Sequence, residues 1–187
     1  IVVAIIGILA AIAVPNFLNA QVKAKLAQAY GNLASLRTAI GTYEMDWNWP
    51  PMDMGEETET GQSYRPLTTP VAYINGYGIV KEIFPPRHHE RNYYEYGASL
   101  RYGKEPDTAA GQDRISHYKA AGISFVCVSG GPDADTDWPW TNWGLGLQAL
   151  NNPSQAGPNG DGGAFYDSSN GLGSSGDIIG TSAKVYQ

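Results

Sequence analysis

The chain opens on fourteen residues without a polar side chain, IVVAIIGILAAIAV from Ile1 to Val14. A helix of that length covers only about 21 Å, short of the ~30 Å hydrocarbon core of a bilayer, and further residues are expected upstream of Ile1. From Leu18 the pattern narrows to one stripe. Val22, Leu26, Ala29, Leu33, Leu36, Ile40, Tyr43 and Trp47 follow at steps of three or four, the period of a single helix face. Asn48-Trp49-Pro50-Pro51 ends it, because proline lacks the backbone donor and disfavours helix in the residue before it. The spacing predicts one helix from Ile1 to about Trp47, roughly 70 Å long and more than a small domain can bury. Pro15 removes one backbone hydrogen bond at the junction of the two patterns, where a kink is expected.

The rod therefore has two parts with different needs. Residues 1–15 are apolar all round and require lipid or other helices. Residues 16–47 bury one stripe against a head formed by residues 48–187. A secretory signal peptide would account for the A-x-A spacing of Ala11-Ile12-Ala13, and a single-pass anchor for Ile1–Val14. The amphipathic pattern that runs past Val14 without a break favours the rod.

Charge sharpens this division. Residues 1–43 hold Lys23, Lys25 and Arg37 and no acid. All 18 acids lie from Glu44 onward against nine bases, so that part carries about −9. An acidic head repels phosphate backbones, and no nucleic-acid partner is expected. The lysines just beyond the apolar stretch suit anionic headgroups. One cysteine, Cys127, excludes an intramolecular disulfide.

IVVAIIGILAAIAVPNFLNAQVKAKLAQA resembles the N-terminal helix of type IV pilins and type II secretion pseudopilins, including the Gly7–Pro15 run and Phe17 after the proline. The resemblance covers about the first 50 residues. It implies a prepilin cleaved by a dedicated peptidase, methylated at its new N-terminus, and held in the inner membrane by its helix until an assembly machine builds it into a filament. It implies that Ile1, Val2, Val3, Ile5, Ile6, Ile8, Leu9, Ile12, Val14 and Phe17 pack into a filament core made by copies of the same chain. The family's cleavage site and its acidic pairing residue would both fall before Ile1.

The head predicts an α+β fold, with a small antiparallel sheet packed across the second half of the helix. Strand candidates are Tyr93–Tyr96, Ile115–Lys119 and Ile123–Val128, with His117 on one strand face. Thr69 and Pro70 carry the signature of a helix N-cap and first helical position. Residues 129–187 are rich in Gly, Ser, Asn and Asp and read as a long loop with little regular structure.

Asp133-Ala134-Asp135-Thr136-Asp137 alternates carboxylates as the front of a calcium loop does, but lacks the glycine and distal glutamate of an EF-hand. The run from Ser129 to Asp133, with Ser175-Gly176-Asp177-Ile178, resembles the calcium-binding C-terminal loop of major pseudopilins. Asp133, Asp135 and Asp177 are the candidate ligands for Ca2+, against the alternative of a solvated acidic turn. Trp138, Trp140 and Trp143 offer a subunit contact, a core filling or a glycan-stacking surface. His88 and His89 read as part of a solvated charged loop, and Cys127 as a buried small hydrophobe. No acid/base or nucleophile constellation emerges, so an enzyme is not expected. The leading expectation is a major pilin, ahead of a type II secretion pseudopilin and a membrane-anchored glycan-binding adhesin.

Overall fold

A computed structural model describes residues 1–55, 61–84, 92–101, 106–134, 147, 150, 165–167, 176–183 and 185–186. The architecture is α+β. A single helix, α1 (Val2–Trp47), runs through Pro15 and ends where Asn48 turns left-handed at φ 62°. Asparagine tolerates that conformation better than most residues, and the following prolines keep the helix from resuming.

The predicted stripe is the face that α1 buries. Leu26, Ala29, Leu33, Leu36 and Ile40 are buried, with Val22 and Tyr43 partly buried against the same core. Ala39 joins them. Trp47, expected to close the stripe, is instead 54% exposed. It stacks on Tyr43 with ring centroids 5.9 Å apart.

Four antiparallel strands lie in sequence order, β1 (Glu95–Ala98), β2 (Phe125–Ser129), β3 (Ile178–Thr181) and β4 (Val185–Tyr186). The register sets Tyr96 opposite Cys127 and Cys127 opposite Gly180. Alternate residues of a strand point to opposite faces, and here both faces are covered. Phe125, Cys127 and Ile178 pack toward α1 with Leu33 and Leu36. Val126, Val128 and Ile179 pack on the other side with Tyr118, Ile123, Leu147 and Leu150.

Three local expectations are corrected. Ile115–Lys119, expected as a strand, lies inside α2 (Ala109–Ala120), so His117 stands on a helix. The Thr108 hydroxyl caps α2 by accepting from Gly111 N at 3.1 Å, and Gly111, Arg114, Ile115 and Tyr118 are buried at helical spacing. Thr69-Pro70 starts no helix. Its peptide bond is cis, and the amides of Tyr73 and Ile74 both donate back to the Leu67 carbonyl, closing a turn. The C-terminal region is also more regular than expected, since it supplies β3 and β4.

Two polar ties fix the head around the helix. Arg114 of α2 donates to Asp53 Oδ2 at 2.5 Å and to the Ala98 carbonyl at 2.7 Å. The Tyr96 hydroxyl donates to the Pro51 carbonyl at 2.7 Å.

Candidate assembly surface

The candidate site is a surface, not a pocket. Every residue from Ile1 to Gln21 is exposed. The core-packing candidates Ile1, Val2, Val3, Ile5, Ile6, Ile8, Leu9, Ile12, Val14 and Phe17 each keep more than half of their area free. By length and composition α1 as a whole suffices to cross a membrane. So large an apolar surface requires a partner or lipid.

Beyond it, the face of α1 turned away from the head carries Ala24, Ala27, Gly31, Ala34, Ser35, Thr38 and Thr42, all exposed. A solvated helix face usually carries charged residues, and this one is small and uncharged. The hydroxyls of Ser35, Thr38 and Thr42 donate to the carbonyls of Gly31, Ala34 and Thr38 at 2.8, 3.0 and 2.9 Å. Bonded back to their own helix, they need no water when another helix covers them. The 3.6-residue pattern identified the buried face but carried no warning of this one, because small residues look neutral in a hydropathy pattern.

The far end of the rod is aromatic and acidic. Tyr43 stacks on Trp47 and meets Tyr73 edge-on at 5.5 Å, and the Tyr73 hydroxyl donates to Asp46 Oδ2 at 2.7 Å. Glu44 Oε2 accepts from the Ser124 hydroxyl at 2.7 Å.

In the head, the turn at Gly131–Ala134 lies against Gly176. A methyl group on Gly131 would stand 2.6 Å from the Gly176 carbonyl oxygen and 3.7 Å from Asp133 Oδ1. Asp133 therefore shares a neighbourhood with the peptide that precedes buried Asp177. The oxygens there are hard donors of the kind calcium takes, though calcium needs six to eight of them. Among the described residues no three metal-ligating side chains gather. Asp135, Trp138, Trp140, Trp143, His88 and His89 lie outside the described residues.

Two titratable groups sit deeper. Burial pushes the Cys127 thiol up to about 12, so it stays a neutral packing group as its apolar strand suggested. Nothing in the residue pattern marks Glu82. Its Oε1 accepts from Phe84 N and the Ser129 hydroxyl, both at 2.9 Å. Burial nevertheless pushes its carboxyl up to about 7.

A 39-residue stretch of the N-terminal region is 62% identical to the type IV major pilin protein PilA of Myxococcus xanthus (strain DK1622). The N-terminal helix is pilin-like. The match takes in 21% of this chain and only 18% of that protein, so the likeness it shows is that of the N-terminal region. No family model matches the chain, and no solved structure matches it.

Proposed function

We propose that this chain is the major structural subunit of a type IV pilus-like filament, polymerising through α1. The observation that carries the proposal is the unburied, pilin-like first half of α1, continued by a small-residue face whose hydroxyls are already bonded. Before assembly the apolar part rests in the inner membrane, where a peptidase and an assembly machine are the expected partners. Afterwards copies of the helix form the core of an extracellular fibre. Against water, burying the ten core-packing side chains at ~1.5–3 kcal/mol each would dominate the energetics. Leaving lipid yields far less, so close helix contact and specific pairing must supply the difference.

Catalysis plays no part in this proposal, and the deep, neutral Cys127 thiol fits a structural role. A second reading, a major pseudopilin of type II secretion, is favoured by the approach of Gly131, beside Asp133, to Gly176, where calcium would tie the C-terminal loop. Electron microscopy of cells with and without the gene separates the two. Long surface fibres containing this chain support the pilin. Their absence, together with a secretion defect on deletion, supports the pseudopilin. A full-length chain purified as a water-soluble monomer overturns both.

A further inference from the structure

We propose that Lys25 of one copy docks on the Tyr43–Asp46–Trp47–Tyr73 end of another, holding parallel helices at one axial stagger. The inference rests on the filament reading and adds the contact that sets its register.

The two surfaces are complementary and separate. Lys23 and Lys25 are exposed and form no ion pair with a described residue. Residues 1–43 contain no acid with which they could pair along their own stretch of helix. At the other end Asp46 is exposed and held in place by the Tyr73 hydroxyl, beside the stacked rings of Tyr43 and Trp47. Glu44 adds negative potential. Trp47 leaves 54% and Met45 82% of its area open to solvent. A carboxylate next to open aromatic faces suits an ammonium group, which gains both an ion pair and a cation–π contact.

Geometry selects the arrangement. Lys25 and Asp46 are 21 residues apart, about 32 Å along a straight helix, whereas Lys23, two residues from Lys25 on the same helix, points to its other side. Parallel copies in register would set lysine beside lysine and aspartate beside aspartate. Antiparallel copies would match the charges but send their apolar first halves in opposite directions, so one apolar phase could not hold both. Parallel copies offset by about 32 Å satisfy both demands. Between the two docking ends, the small face of α1 lets backbones approach closely. Each copy then uses one surface to bind the copy ahead and the other to bind the copy behind. Such a head-to-tail contact does not close on itself and propagates as an open helical array.

The test is charge exchange in cells that display the fibre, with each variant first matched for membrane-held subunit by immunoblot. Lys25→Glu alone and Asp46→Lys alone should each lower fibre yield by roughly tenfold, and the double variant should recover most of it. A chain carrying both Lys25→Cys and Asp46→Cys, treated within fibres with a bismaleimide that spans the backbone gap a lysine–aspartate contact leaves, should run as a ladder of multimers on a denaturing gel. Unchanged yield in both single variants, or intact fibres of the double-cysteine chain without a ladder, overturns the proposed register while leaving the filament reading standing. Wild-type cells without any fibre built from this chain overturn the filament reading, and this inference with it.

Discussion

Gly180 of β3 lies directly against Leu33 of α1. A methyl group on Gly180 would stand 3.4 Å from Leu33 Cβ and 3.7 Å from its Cδ2. At that position the absent side chain lets the sheet sit close on the helix, next to Cys127 in register. Gly180→Val would wedge the sheet away, at a cost of about 1–3 kcal/mol typical of an overfilled core. Gly180→Ala, at ordinary contact distance, should cost much less. Urea denaturation of residues 22–187, which keep every buried residue of α1, measures both. Equal stability of the valine variant and the wild type would refute this account.

The ion pair of Asp53 and Arg114 ties the chain just after α1 to α2, and both residues are buried. Arg114 also lies over the Tyr118 ring at 5.4 Å. Truncating it in Arg114→Met leaves a buried carboxylate without its guanidinium, at a cost of about 3–5 kcal/mol. Asp53→Ala combined with Arg114→Met should be less harmful than the sum of the two single changes, because neither charge is then stranded. Additive losses in the same denaturation series would mean that the pair does not couple.

Legibility in the sequence followed sequence distance. The stripe from Val22 to Ile40 and its stop at Pro50-Pro51 are local, periodic signals, and α1 follows them closely. The apolar run of β2 was equally readable, within two residues of its observed bounds. By contrast, Ile115, His117 and Lys119 mimic a two-residue alternation over a short window. The cap at Thr108 and the burial of Gly111, Arg114 and Tyr118 reveal the helix only once the sheet is in place. Trp47 looked like core because it keeps the period, yet it stacks on Tyr43 at the edge of the head and stays 54% exposed. Glu82 was invisible because its burial is created by Phe84 and Ser129, the latter 47 residues away. Of the assembly surface, the apolar half was plain and the small-residue face was not.

Calcium is expected to stabilise the head if the turn at Gly131–Ala134 holds the ion together with the chain around Gly176. A ligand that binds only the folded state adds about 2.7 kcal/mol at a hundredfold excess over its dissociation constant. The thermal midpoint of residues 22–187 should therefore rise in millimolar calcium relative to a chelator. Asp133→Ala should abolish the rise while leaving the chelated midpoint nearly unchanged, since Asp133 is only half-buried. No shift for the wild type would remove calcium from the account.

Glu82 makes stability depend on pH in the direction opposite to that of a carboxylate in a salt bridge. In the unfolded chain its carboxyl ionises near the ordinary value of 4.5, whereas in the folded head burial holds the proton to about 7. Below 4.5 both states carry the proton and the contribution to stability is complete. Between 4.5 and about 7 the unfolded state has released it and the folded state has not, so stability falls as pH rises; above about 7 the loss levels off. With some solvent access, the total change is on the order of 2 kcal/mol. Glu82→Gln keeps an oxygen to accept from Phe84 N and the Ser129 hydroxyl but carries no titrating proton. Its denaturation midpoint should be flat across this window relative to the wild type. A variant whose profile retains the wild-type slope would assign the pH dependence to another group.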